Sequence, residues 1–230
     1  MSDERPRREI RTFGRRDGRP LSKRQQHLVD DLLPRLAIPD SDEDLTAEIL
    51  FGGPRPLWLE IGFGGGEHLI RTARANPDIG LIGAEPFIDG VAKALTGVDD
   101  HSLMNVRIHS DDIRQILPRI RPGSLDRVFI LFPDPWPKRR QQKRRLIQPS
   151  FLDELAQAMA PGAKLRFATD VKSYADEALW RILQHGAFNW HAECADDWRL
   201  DPPDHEPTRY QLKQLGDCKP VWLEFTRRAN

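Results

Sequence analysis

Leu57-Trp58-Leu59-Glu60-Ile61-Gly62-Phe63-Gly64-Gly65-Gly66-Glu67 sets five strand-forming, mostly apolar residues directly against a glycine-rich turn. A short apolar run that ends in glycines and then opens a helical pattern, here reaching Ala75, reads as one β-α unit of an α/β sheet. Glycine at such a turn lets the backbone bend sharply and lets a ligand approach it closely. The spacing narrows the ligand. After Gly62 and Gly64 the dinucleotide fingerprint needs glycine at position 67, which is Glu67, and the Gly-Lys-Ser/Thr of a phosphate-binding loop is absent.

Outward from this turn the alternation repeats. Strands are expected at residues 79–84, 106–109, 126–132 and 165–168, interleaved with helices at 88–96, 113–120, 151–160 and 174–184, the last capped by Gly186. Two late strands, 188–193 and 221–226, flank a long polar loop over 196–220. Five β-α units and a late strand pair predict a mostly parallel, seven-stranded α/β sheet with helices on both faces, whose ligand sits beyond the carboxyl ends of the strands. Before the first strand, residues 25–36 carry a helical pattern that Pro34 interrupts. The turn formers from Gly52 to Pro56 lead us to expect the folded core to begin just after them.

The 230 residues suit one domain with a sizeable core. Hydrophobic residues make up 39% and charged residues 30%, with 35 basic side chains against 35 acidic, which excludes wholesale disorder and a histone-like binder. Charge is nevertheless uneven. Nine basic side chains fall between Arg5 and Arg24, interleaved with Gly14, Gly18 and Pro20, so residues 1–24 are expected to form a flexible basic arm ahead of a single domain over 25–230. The longest uncharged apolar run, 128–132, is far short of the roughly 20 residues of a membrane span, and the start of the chain is arginine-rich rather than apolar. A cytoplasmic protein without a membrane partner is expected. Cys194 and Cys218 form no Cys-x-x-Cys and the seven histidines no His-Glu-x-x-His, so reduced thiols and no metal are expected.

Three acids follow the expected strands at their carboxyl ends: Glu60, Glu85 and Asp112. Glu85 falls where such a sheet places a carboxylate on ribose hydroxyls. The fourth strand runs into Pro133-Asp134-Pro135-Trp136-Pro137, and prolines on both sides of Asp134 fix its backbone, holding the carboxylate rigidly at the ligand edge. Lys138, Arg139, Arg140, Lys143, Arg144 and Arg145 come next, six cations in eight residues with no acid among them. Such a cluster repels itself unless an anion sits nearby, and beside a ligand edge it reads as a phosphate-contacting patch for nucleic acid.

A G-x-G-x-G turn preceded by an acid, Glu60 before Gly62, Gly64 and Gly66, resembles the S-adenosylmethionine site of class I methyltransferases; that ligand brings a zwitterion and a sulfonium but no phosphate. The Pro-Asp-Pro-Trp loop resembles the Asp/Asn-Pro-Pro-aromatic loop of amino-group methyltransferases. The longer block from Pro133 to Leu146, together with Leu59-Glu60-Ile61-Gly62-Phe63-Gly64, Ala168-Thr169-Asp170 and Thr208-Arg209-Tyr210-Gln211, resembles the bacterial tRNA (guanine-N7)-methyltransferase family from about Arg15 to the C-terminus. This resemblance implies a Rossmann-like class I fold, S-adenosyl-L-methionine as cofactor, tRNA as partner and methylation of N7 of guanosine 46 in the variable loop. It implies that Glu60, Gly62, Gly64, Gly66, Glu85, Asp112 and Asp134 bind the donor, with Asp112 against the adenine amino group and Asp134 also catalytic. Lys138, Asp170, Thr208, Arg209, Tyr210 and Gln211 would bind the substrate, while Arg139, Arg140, Lys143, Arg144 and Arg145 contact RNA.

The chain departs from the commoner family pattern at Pro137, where histidine is frequent, at Gln142, where Asn or His is, and in Arg209-Tyr210-Gln211 where Lys-Phe-Glu is usual. Whether the protein is a monomer or a homodimer stays open, and so do two other functions. A methyltransferase of another RNA base or of a small molecule would keep the glycine turn without needing the basic block. A non-catalytic RNA-binding protein would keep the block without needing the four acids.

Overall fold

The computed structural model of the chain describes residue 18 and residues 20–229. In chain order its elements are α1 (Lys23–Asp31), α2 (Leu33–Leu36), α3 (Ala47–Phe51), β1 (Leu57–Ile61), α4 (Glu67–Ala75), β2 (Gly80–Ala84), α5 (Ile88–Asp100), β3 (Val106–His109) and β4 (Leu125–Leu131). They continue through α6 (Pro149–Ala158), β5 (Met159–Thr169), α7 (Lys172–His185), β6 (Phe188–Trp190), α8 (Asp196–Arg199), α9 (Arg209–Leu212) and β7 (Val221–Arg227).

The strands form one sheet in the order β3-β2-β1-β4-β5-β7-β6, in which β1 to β5 run parallel and β7 runs antiparallel to both β5 and β6. Strand order reverses between β1 and β4, so the loops leaving these two neighbours meet at the centre of the carboxyl edge, where a doubly wound sheet leaves a crevice. Central placement matches sequence: Leu57, Leu59, Val128 and Ile130 are fully buried or nearly so, as strands covered on both faces require.

Two apolar layers cover the sheet. On one face α3, α6, α7 and the 3₁₀ turns at Ile113–Gln115 and Leu117–Arg119 pack against β4 and β5. On the other, α1, α2, α4 and α5 pack against β2 and β3. Gly66 and Gly97 let α4 and α5 approach closely, since a Cβ on Gly66 would lie 2.7 Å from that of Ala94 and one on Gly97 would lie 2.7 Å from Ile70 Cγ1.

Several sequence expectations need correction. The core begins before Pro56: Leu28 and Leu36 belong to one apolar layer, Leu45 and Leu50 to the other, and bridges tie Ala37 to Ile108 and Leu45 to Ile120. The helix expected over 25–36 starts earlier, at Lys23 behind a Ser22–Gln25 capping box, and breaks at Leu32 ahead of Pro34. Lys23 and Arg24 therefore lie in α1 rather than in the basic arm; residues 1–17 and 19 of that arm lie outside the described residues. The helix expected over 113–120 is two 3₁₀ turns, because Pro118 cannot continue an α-helix. Strand β5 starts at Met159, and Pro161-Gly162 form an irregularity within it, the register jumping between the Leu125–Met159 and Arg127–Lys164 rungs. Among the described residues no helix is long and apolar enough to cross a membrane.

Candidate active site at the carboxyl edge

The glycine turn after β1 is built from backbone that ordinary residues avoid: φ is +74° at Gly62, +54° at Gly64 and +80° at Gly66. Gly62 N–H donates to Ala84 O at 2.8 Å and Gly66 N–H to Phe63 O at 2.9 Å, which closes the turn against β2 and starts α4. No described atom lies within 4 Å of where a Cβ at Gly62 or Gly64 would stand, so the upper surface of the turn is open. Its underside is not: a Cβ on Gly90 would lie 2.3 Å from Gly64 O. Gly90→Ala is therefore expected to push the turn out of shape and weaken, at least tenfold, the binding of a ligand held against it, with little loss of secondary structure, measurable by calorimetric titration beside circular dichroism.

Glu85 fastens the turn to the end of β2. Its Oε2 accepts from Gly64 N–H and its Oε1 from Phe87 N–H, both at 2.9 Å. Burial holds the Glu85 carboxyl above its ordinary range, and the nearby Asp134 and Glu60 charges push the same way. Three acids predicted from sequence thus meet at this edge. Glu60, however, is turned inward: it is 2% exposed and its Oε2 sits 2.8 Å from His68 Nδ1, while the His68 ring packs edge-on to Phe129. Nothing in the spacing of Glu60 and His68 announced that pairing.

Asp112 stands where expected, after β3, but both its oxygens are already engaged. Arg114 Nε donates at 2.8 Å and Nη2 at 2.6 Å, and Asp112 also caps the following 3₁₀ turn through Arg114 N–H. Burial alone would raise the Asp112 carboxyl; the Arg114 guanidinium outweighs it and holds the group below its usual range. An adenine amino group would have to share these oxygens with Arg114.

The Pro-Asp-Pro-Trp loop is strained at both ends. Phe132 has φ +52° and Trp136 φ +42°, each immediately before a proline, a conformation that costs on the order of 1–3 kcal/mol per residue and persists only where the surroundings enforce it. Between them Asp134 opens to solvent with no hydrogen-bond or ion-pair partner among the described residues. Burial by the loop walls raises its carboxyl above the usual range.

The basic block divides into two roles. Lys138, Arg139, Arg140 and Lys143 are exposed and make no ion pair among the described residues. Arg145 does not belong with them, contrary to the sequence expectation: it is 1% exposed and braces the loop from within. Its Nε donates to Pro135 O at 2.8 Å, Nη1 to Ser173 O at 3.1 Å and Nη2 to Ser173 Oγ at 2.9 Å, and it forms an ion pair with Glu177. Tyr174 lies under its guanidinium and accepts from Leu146 and Ile147 N–H. Arg144 is half-buried over the Trp136 ring, 5.0 Å from its centroid.

The long polar loop after β6 is a strap rather than a tail. It crosses Trp222, whose ring lies 4.4 Å from that of His205 and which belongs to a small apolar cluster with Phe129, Leu131 and Ala168. Asp204 binds Arg127 at 3.0 Å and Arg166 at 2.9 Å, and Asp201 accepts from Trp222 Nε1 at 2.9 Å. The strap brings Thr208, Arg209, Tyr210 and Gln211 to the edge. Thr208 and Gln211 form a capping box for α9, Arg209 pairs with Glu67 at 3.2 Å, and the Tyr210 ring lies 5.6 Å from that of Phe132. Tyr210 Oη donates to Asp170 Oδ1 at 3.4 Å; its own pKa is pushed up to about 12 by burial and by the Asp170 charge. Asp170, 5% exposed, is covered by Gly216, where a Cβ would lie 2.1 Å from Asp170 O. Among the described residues no cluster of His, Cys, Asp or Glu is arranged to hold a metal ion.

Known proteins resemble this chain in sequence and in shape. A family model described as "Putative methyltransferase" matches residues 54–222. A Hyphomonas neptunium protein named tRNA (guanine-N(7)-)-methyltransferase is 55% identical over 219 residues, covering 95% of this chain and 100% of its own. Proteins of the same name from Caulobacter vibrioides and Rhodospirillum rubrum are 50% and 47% identical, covering 95% and 98% of this chain and 95% and 91% of theirs. Among solved structures the 16S rRNA methyltransferase KamB superposes with a TM-score of 0.56 at 19% identity, over 81% of this chain and 95% of its own. A variant 16S rRNA (adenine(1408)-N(1))-methyltransferase of Catenulisporales acidiphilia, solved with the cosubstrate SAM, superposes at 0.54 with 15% identity, over 77% and 88%. At such identities the likeness is one of fold, the Rossmann-like α/β sheet of class I methyltransferases.

Proposed function

The chain belongs to the bacterial tRNA (guanine-N(7)-)-methyltransferase family, and from that membership we propose that it transfers a methyl group from S-adenosylmethionine to N7 of guanosine 46 in the tRNA variable loop, giving 7-methylguanosine. The observation that carries this reading is Asp134: a carboxylate without a partner among the described residues, on a strained, proline-flanked loop, beside Glu85 and Glu60 and next to the exposed cations Lys138, Arg139, Arg140 and Lys143.

The residues present suit the donor. The open upper surface of Gly62 and Gly64 admits a ligand against the backbone, and the surrounding carboxylates favour a cation where a phosphate would be repelled. When bound, S-adenosylmethionine supplies an electrophilic methyl group on a positively charged sulfur. Guanine N7 has a lone pair and no proton, so no side chain need act as its base. Positive charge grows on the purine during transfer. Asp134, already rigid and negatively charged, gains more interaction with that charge in the transition state than in the ground state, which is the condition for acceleration. Asp170 and Asp134 are also acceptors for the N1 and N2 donors of guanine, which adenine cannot match in the same places. A base presented in line would be swung out of its stack.

The test is incubation of the protein with methyl-labelled donor and unfractionated tRNA, followed by digestion and nucleoside analysis. Label in 7-methylguanosine supports the reading; label in another nucleoside, or in no RNA at all, overturns it. The exposed cations give a separate expectation. Neutralising Arg139, Arg140 and Lys143 to Gln should flatten the dependence of log affinity on log salt by roughly 0.7–0.9 for each phosphate no longer neutralised, with the melting temperature unchanged.

A further inference from the structure

On the tRNA-methylating reading above, we propose that His205 is a positioning residue for the nucleic acid substrate, locking the Thr208–Gln211 segment to the buried Glu60–His68 pair beneath the donor edge. Within the strap, over residues 200–216, His205 is the sole buried residue, 8% exposed. Its ring lies 4.4 Å from that of Trp222 and stacks on His68 at 6.3 Å with 29° between the planes. His68 in turn holds Glu60. On its outer side His205 Nε2 lies 2.7 Å from Gln211 Oε1, the same oxygen that accepts from Thr208 N–H at 3.0 Å in the capping box.

That geometry fixes the proton. Gln211 Oε1 is an acceptor in the capping box, so His205 must be the donor, through Nε2–H, leaving Nδ1 as the bare nitrogen; Nδ1 has no hydrogen-bond partner among the described residues. Burial lowers the His205 pKa from the ordinary imidazole value, against the hydrogen bond to Gln211. An Nε2–H donor is present whether or not the ring carries a second proton. It acts on the reaction through α9: a fixed Gln211 fixes the first turn, and Tyr210 within that turn reaches Asp170 and the Phe132 ring at the mouth of the Asp134 loop. Gln211, where the family resemblance has glutamate, still presents one carbonyl oxygen to both donors.

Two variants separate donor from ring. His205→Phe keeps an aromatic ring between Trp222 and His68 but removes the donor; His205→Gln removes the ring but returns an N–H near the Nε2 position. His205→Phe should raise KM for tRNA about tenfold, the size of one missing buried hydrogen bond, with KM for S-adenosylmethionine within twofold, and His205→Gln should recover most of the loss. An unchanged KM for tRNA in His205→Phe, a parallel rise in both KM values, or no recovery in His205→Gln would overturn the proposal. Should His205→Phe fail to fold, Gln211→Met removes the acceptor and must show the same selective rise. Wild-type protein that leaves no label in 7-methylguanosine would overturn the methyl-transfer reading and this proposal with it, whereas an active wild type with an indifferent His205 overturns the proposal alone.

Discussion

Asp134→Asn is expected to lower kcat by about 10²–10³-fold while leaving the dissociation constant of S-adenosylmethionine within a few-fold. Asparagine keeps the shape of the side chain and, between Pro133 and Pro135, the strained backbone that presents it. What it lacks is the charge. If that charge acts mainly on the cation that grows on the purine, its loss appears in single-turnover rates and hardly in donor affinity. Equal losses in rate and affinity would make Asp134 a donor-binding residue only, and a normal rate would remove it from the chemistry.

The second large effect concerns stability. Arg145→Met should cost about 3–5 kcal/mol, since it breaks a buried, hydrogen-bonded charge pair and strips the brace from Pro135 O and Ser173. For a domain of this size that corresponds to a fall in melting temperature of roughly 6–20 °C, readable by scanning calorimetry. Arg181 also binds Glu177, at 2.7 Å, so the remaining carboxylate keeps one partner and the effect should lie toward the lower end. Arg139→Gln and Arg140→Gln, on exposed side chains, should leave the melting temperature unchanged. A thermally silent Arg145→Met would return this arginine to the RNA-contacting group.

Periodicity sufficed for β1 and β3, which lie where apolar runs put them, and the glycine turn between β1 and α4 follows from Gly62 to Gly66, whereas β5 starts six residues before its apolar run and β6 ends at Trp190, short of residue 193. Local signals failed where the deciding contact is distant in sequence. The 25–56 region looks peripheral because turn formers from Gly52 to Pro56 set it off from the first strand, yet Leu28, Leu36, Leu45 and Leu50 each dock on elements far along the chain. The acids at strand ends were legible individually; that Glu60 faces His68 and Asp112 faces Arg114 was not, because a side chain's direction depends on what packs around it. Arg145 shows the same limit. Six cations in eight residues look alike on paper, and only the position of Pro135, Ser173 and Glu177 distinguishes the braced one from the exposed ones.

The strap has a consequence for how such a protein can change. One segment both lies over Trp222 and carries Thr208 to Gln211 to the edge, so shelter of the interior and, on the proposed function, choice of guest would be encoded in the same stretch of chain. A helix as roof would have left the recognition loop at liberty to lengthen or drift. Here an insertion into that stretch would also lift Asp204 from Arg127 and Arg166 and wet Trp222 beneath, so on the proposed function a change of specificity through this segment is expected to come by exchange of side chains at constant length.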